Sequence, residues 1–473
     1  MVTLLCENSI EAIVSKIALA SIGVTAAPIN PSLNTAVMIP LVNRLSPKLL
    51  VCDSQFIDKA EEVSSGCGVD IAFSININGD SKNRTSFKGF TSNSSVNPVC
   101  ENIHGDDIWE ILFTSGSSSL PKGVMVSHIK TYFEALSFSN ITPLKLSQPS
   151  QITVCSYLPI IYHVGFCMLL AGILSGGKTV IGRGLNFRSL AETIERERVT
   201  TLWAGSPQAL ELTATEYAAL NGGKNVLKNA IFGWGAMSPK VYREIKKSFG
   251  DEFSGIAIIG QTESCCAHRF FIDEHPEIFE TECPQENYIG LPSPLLGAAI
   301  EYVEGVSVTN ESGEVQNGEA VYRSPAMMAG YYKDPEATKE ALSGGWFHSG
   351  DNFGLMSKGQ RTMIDRIKDV IKTGGENVSS IRVEGIINQF SSVSRSAVIG
   401  VPHKKWGEAV IALVILKEGV EYDELSLISH LKKKLSSFEV PKSIILEQSF
   451  PEPVGGKVQK YKLREKYKNI FQQ

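Results

Sequence analysis

No two of the nine cysteines stand in C-x-x-C spacing, their number is odd, and Cys265 and Cys266 are adjacent. That excludes a disulfide framework and points to free thiols in a reducing compartment. Basic charge is not in excess either. Lys and Arg total 45 against 50 Asp and Glu, for a net charge of −5. Nucleic acid and anionic membrane are therefore excluded as the main partner. The opening, MVTLLCENSIEAIV, has acids at Glu7 and Glu11 and no basic leader, so no signal peptide is expected. The last residues, Phe471-Gln472-Gln473, are no peroxisomal tripeptide, and the expected location is cytoplasmic. Internal repeats are absent. One apolar stretch, Ile152 to Leu174, is long enough to span a bilayer. Pro159, Tyr162 and His163 interrupt it, and it reads as a buried strand–loop–helix, not an integral membrane segment.

What remains is an ordinary globular composition: 473 residues, 43% hydrophobic and 20% charged, enough for two or three domains. The opening alternates strand and helix. VTLLC, VTAAPIN and PKLLVCD read as strands; SIEAIVSKIALASIG and TAVMIPLVNRL read as helices, with Pro40 a candidate break. Such a run predicts a parallel sheet. Residues 79–98 are polar and read as a surface loop. A second alternating run extends from Phe187 to Gly260. Its strands end in loops of small residues, GWGAMS at 233–238 and GQTES at 260–264. Ligands of α/β sheets sit at the carboxyl ends of strands, so these loops are candidate ligand contacts; tight-turn glycine is the plain alternative. From about residue 290 the pattern turns to hairpins, followed by a compact α/β tail. The boundaries drawn are 1–364 and 365–473.

Between two apolar strands lies FTSGSSSLPKGVMVSH, with five hydroxyl side chains and a glycine ahead of Pro-Lys-Gly. A solvated hairpin loop would explain it. So would a phosphate cradle, with hydroxyls and backbone N–H groups donating to the oxygens and Lys122 adding charge. It is not a Walker loop, and no helix is expected directly after it.

Seven stretches occur in order: FTSGSSSLPKGVMVSH, GQTES, GYYKDPEATKEAL, GWFHSGDNFG, DRIKDVIKTGGENVSSIRVE, VPHKKWGEAV and GGKVQKYKLRE. Together they resemble the acyl-adenylate-forming superfamily of acyl- and aryl-CoA ligases, luciferases and adenylation domains, and most closely its fatty-acyl and 4-coumarate CoA ligases. The resemblance spans nearly the whole chain. It implies an α/β fold: a large N-terminal domain of stacked sheets with a β-rich subdomain, and a small α+β C-terminal domain on a hinge. It also implies ATP, Mg²⁺ and coenzyme A. A carboxylate and ATP would give acyl-AMP and pyrophosphate, and a thiol would then displace AMP.

Residue by residue, the resemblance assigns Thr114, Ser115, Gly116, Ser117, Ser118, Ser119 and Lys122 to the phosphate loop. Thr262 matches the AMP-phosphate contact, with Gly260 and Gln261 in the same block, and Glu263 matches the Mg²⁺ ligand. Asp351 and Arg366 match the ribose contacts, and Lys368 falls at the hinge. Gly235, Ala236 and Met237 match the segment beside adenine and the acyl pocket, which Trp234, Tyr162 and His163 would also line. Lys457 matches the lysine bridging carboxylate and α-phosphate. Lys372, Gly374 and Gly375 match the face presented during thioester formation, and rotation at the hinge would exchange the two. A lone Asp after Gly is usually a turn residue, and a lysine on a basic tail is usually solvated; only the block matches raise Asp351 and Lys457 above that.

Departures are local. Ser118-Ser119 replace the family's Thr-Gly, Ile259 stands where the family has an aromatic on adenine, and His163 comes one place late. Either Tyr162 takes that histidine's role or a bulge absorbs the residue. Family members also carry about one more strand and helix before the position of Met1. The expected function is an acid–CoA ligase for a medium- or long-chain fatty acid. An aryl-CoA ligase, an enzyme loading a carrier protein in trans, and a non-catalytic binding relative are the alternatives.

Overall fold

A computed structural model describes residues 1–75, 86–92, 102–114, 121–140, 149–283, 286–451 and 458–471. The opening strands Val2–Leu5, Ala26–Pro28 and Leu49–Asp53 are parallel neighbours, as their alternation with helices predicts. Helix Ile10–Ser21 starts where Ser9 accepts a hydrogen bond from the N–H of Ala12, the usual cap chemistry. Helix Thr35–Leu45 runs through Pro40 without breaking. Its buried face of Met38, Leu41, Val42 and Leu45 packs on the first sheet, which outweighs one lost backbone bond. Residues 79–98 contain a short helix, Phe87–Ser92, where a loop was expected.

The first sheet continues through Ile108–Thr114 and Lys122–Ser127, the antiparallel hairpin that carries the hydroxyl-rich segment. A strand follows that segment, and the next helix begins only at His128. A second, eleven-stranded sheet holds the parallel strands Lys178–Ile181, Thr153–Ser156, Thr201–Gly205, Asn229–Phe232 and Ser254–Gln261. Antiparallel strands extend it to Phe347–Leu355 and Arg361–Arg366. Stretch 152–174 is a buried strand followed by helix His163–Leu174. Among the described residues no helix is long and apolar enough to cross a membrane.

A third sheet, smaller and mostly antiparallel, is built from Ile371–Thr373, Glu376–Val378, Val393–His403, Gly407–Leu416 and Ser443–Leu446. Helices Ser380–Ile387 and Glu424–Lys432 close one face of it around Val383, Ile387, Val410, Leu427 and Leu431. This is the expected division into a large N-terminal and a small C-terminal domain. The last strand of the large sheet ends at Arg366 and the first of the small sheet begins at Ile371.

Candidate active site

Parallel strands Thr201–Gly205, Asn229–Phe232 and Ser254–Gln261 end side by side, with Gly233 N–H donating to the carbonyl of Gly205 at 2.7 Å. Both small-residue loops therefore emerge at one edge. After the third strand the chain turns through Thr262 and Glu263 and returns as Cys265–Phe271. Gln261 donates from Nε2 to Oδ2 of Asp351 at 2.8 Å and to the carbonyl of Ser349 at 2.7 Å. Asp351 stands opposite Arg366 across two paired strands, with Arg366 Nε 3.3 Å from Asp351 Oδ1. The Asp351 side chain is 5% exposed, and Oδ1 has no hydrogen-bond partner among the described residues.

The turn before Asp351 is held by Glu319. Its carboxylate accepts from Gly350 N–H at 2.8 Å and lies 3.0 Å from His348 Nδ1. Gly350 takes φ +70°, a conformation glycine adopts without cost. Burial pushes the His348 imidazole down, but the Glu319 carboxylate outweighs it and the net shift is upward.

Glu263 is buried, and its Oε1 accepts from the Tyr331 hydroxyl at 3.0 Å. Burial and this carboxylate raise the Tyr331 phenol, keeping it a donor. The Lys122 ammonium lies over the Tyr331 ring, 4.7 Å from its centroid. Thr114 pairs with Lys122 across the hairpin. Tyr331 thus joins the hairpin base to Glu263, a link that reading GYYKDPEATKEAL as a motif alone did not assign. Ser115, Gly116, Ser117, Ser118 and Ser119 lie outside the described residues, as does Lys457.

Trp234, Gly235 and Ala236 are exposed at the second strand's end, and Met237 is buried. Trp234 takes φ +62°, an uncommon conformation for a bulky residue. Its ring stands edge-on to Tyr162 and to Trp203, each with centroids 5.8 Å away. Tyr162 is therefore with Trp234. His163 is not: it points into the core. Its Nδ1 lies 3.0 Å from Glu110 Oε2 and its Nε2 lies 3.3 Å from Glu134 Oε2. Lys16 pairs with Glu110, and Lys130 is 3.5 Å from Glu134. All five side chains are at most 3% exposed. Burial pushes the Glu110 carboxyl up, but Lys16 and His163 outweigh it and hold the acid low. Glu134, His163 and Cys167 also come within 4.8 Å of one another. Two lysines already balance the two carboxylates there, which leaves little call for a cation.

In the C-terminal domain Gly374 (φ +61°) and Gly375 (φ +90°) form a two-residue turn joining Ile371–Thr373 to Glu376–Val378. Lys372 is exposed beside it, and Asn377 donates to the carbonyl of Gly305 at 2.9 Å. In this arrangement neither Lys372 nor the glycine pair bonds to Glu263 or Asp351 among the described residues. Lys368 is exposed between the two sheets, and its neighbour Asp369 pairs with Arg464. Lys460, three places after Lys457, is tied to Glu384 at 2.7 Å and to Ser380 Oγ at 2.6 Å.

Residues 1–332 match the AMP-binding enzyme family, and residues 382–457 match its C-terminal domain. The chain belongs to this family. It is an acid–thiol ligase by class, and the resemblance carried by the seven motifs is borne out. 4-Hydroxybutyrate–CoA ligase 2 of Metallosphaera sedula is 28% identical over 459 residues, covering 94% of this chain and 81% of its own. A long-chain-fatty-acid–CoA ligase of Thermus thermophilus is 29% identical over 375 residues, 76% of this chain and 66% of its own. ATP-bound MatB from Rhodopseudomonas palustris is 24% identical and shares the fold with a TM-score of 0.82, over 99% of this chain and 89% of that one.

Proposed function

We propose that the chain is an ATP-dependent acid–CoA ligase. A carboxylate oxygen attacks the α-phosphorus of ATP, and the bond to pyrophosphate breaks. The thiol of coenzyme A then attacks the acyl carbon and AMP leaves. The observation that carries this reading is Asp351: a buried carboxylate braced by Gln261 and Arg366, with one oxygen still open to accept from a ribose hydroxyl. Relatives named as CoA ligases favour coenzyme A over a carrier protein as acceptor.

Glu263 suits Mg²⁺. It is a buried hard-oxygen donor in no ion pair among the described residues, with one oxygen on a neutral phenol. Bound there with the phosphates, the ion would neutralise their charge. Tyr331 orients the carboxylate, and Thr114 and Lys122 fix the base of the phosphate loop. Lys457 supplies the charge at the α-phosphate, and Lys372 with Gly374 and Gly375 faces the site once Lys368 has turned.

The acid lies against Tyr162 and Trp234, an apolar wall in keeping with a medium- or long-chain fatty acid. The edge-on aromatic pair favours an aryl acid as the second reading. Acid-dependent ATP–pyrophosphate exchange over a panel of aliphatic and aryl acids, followed by assay of the CoA thioester, tests both. Exchange with no acid of either class would refute the ligase reading.

A further inference from the structure

Strands Asn317–Arg323 and Phe347–Leu355 pair as far as Val321 with His348, and pair again at Glu319 with Asn352. Between these points Ala320 alone stands against Ser349, Gly350 and Asp351. The second strand therefore bulges at the residues that carry the candidate ribose carboxylate, and bulges beside active sites re-aim a side chain. On its other edge Asp351 still pairs with Arg366.

The bulged backbone has no partners in that ladder, and side chains supply them. Gly350 N–H donates to Glu319 Oε1 at 2.8 Å, the Ser349 carbonyl accepts from Gln261 Nε2 at 2.7 Å, and Asp351 N–H donates to Ser349 Oγ at 3.1 Å. Glycine adopts the φ of +70° seen at residue 350 freely, and other conformations as freely, so it needs an outside tether to hold one. Glu319 is that tether, and it is itself clamped. Its Oε2 lies 3.0 Å from His348 Nδ1, and His348 Nε2 lies 3.3 Å from the carbonyl of Ser343. Both ring nitrogens face acceptors, which favours the doubly protonated ring and agrees with the upward shift of this imidazole.

We propose that Glu319, clamped by His348, is a positioning residue of the nucleotide site. By holding Gly350 it fixes where the unpartnered Oδ1 of Asp351 stands, and so sets how strongly the site prefers a nucleotide with intact 2′ and 3′ hydroxyls. The inference rests on the reading of Asp351 as the ribose anchor.

The test is calorimetric titration of the full-length protein with ATP and with 2′,3′-dideoxy-ATP, with Mg²⁺ present and no acid added. The parent should prefer ATP by about tenfold or more, and Asp351→Ala should erase that preference. Glu319→Ala should cut it to about threefold or less, and His348→Phe should lower it in the same direction. Glu319→Gln keeps an acceptor for the Gly350 N–H and should restore most of it. A residue that only stabilised the fold would weaken both nucleotides equally. An unchanged ratio in Glu319→Ala would therefore overturn the inference while leaving Asp351 as the anchor. If Glu319→Ala fails to fold, His348→Phe decides by the same ratio. No preference in the parent would take the ribose away from Asp351, and the inference with it; the ligase reading stands or falls separately on pyrophosphate exchange.

Discussion

Arg366 and Asp351 face each other across paired strands, the guanidinium Nε 3.3 Å from a carboxylate oxygen that accepts no hydrogen bond among the described residues. The pairing leaves a lone pair on the carboxylate for a ligand hydroxyl. Asp351→Ala should weaken ATP binding tenfold or more, since hydrogen bonds to a charged group contribute about 1.5–3 kcal/mol. Nucleotide titration of the folded variant measures this, and unchanged affinity would place the ribose elsewhere.

Two lysines three residues apart should behave oppositely. Lys460 is enclosed with Glu384 and Ser380, so Lys460→Ala leaves a largely buried acid unpaired and should cost about 3–5 kcal/mol of stability. Lys457→Ala should leave stability alone and slow adenylation by about 10²–10³-fold. Its thioester step, started from supplied acyl-AMP, should be nearly spared. Equal loss in both half-reactions would count against an exchange of two domain poses.

Trp234 holds φ +62° and stands edge-on to Tyr162 and Trp203. Trp234→Gly relieves backbone strain of about 1–2 kcal/mol while removing the ring that narrows the wall. Pyrophosphate exchange should shift toward bulkier or longer acids relative to the parent. An unchanged acid profile would remove Trp234 from the pocket.

His268 is 1% exposed, packed between Tyr322 and Phe353, and burial lowers its imidazole to about 3, with a smaller push from Arg361. Unfolded, it titrates near its ordinary value of 6.5. Between those values the unfolded chain holds the extra proton, so stability rises with pH there and falls as pH drops below 6.5. From pH 7 to 4.5 this group should remove about 2–3 kcal/mol. Urea unfolding at both pH values should show the loss in the parent and a smaller one in His268→Phe.

Much of this was legible in the sequence because it is local. The period of residues 10–21 and the strand–helix alternation from 187 to 260 carry their elements directly. The motif blocks placed Gln261, Asp351 and Arg366, which the strands then bring together. What was not legible depends on distant partners. His163 reads as a pocket residue until Glu110 and Glu134 are seen on either side of it. Tyr331 gains its role only from the approach of Glu263. Pro40 reads as a break because its local cost is visible and the packing that overrides it is not.

Lys16, Glu110, Lys130, Glu134 and His163 come from four separate segments, and the Lys16 ammonium also reaches the carbonyl of Ile160, 144 positions along the chain. None of these charges can be stranded in dry protein without its partners. The first helix is therefore the counter-ion of the interior as much as it is a cover for the sheet, and these segments must lock together in one cooperative step. A proteolytic cut that frees residues 1–21 would leave Glu110 sealed inside with only His163 to answer it, and the damage would appear first in the middle of the chain.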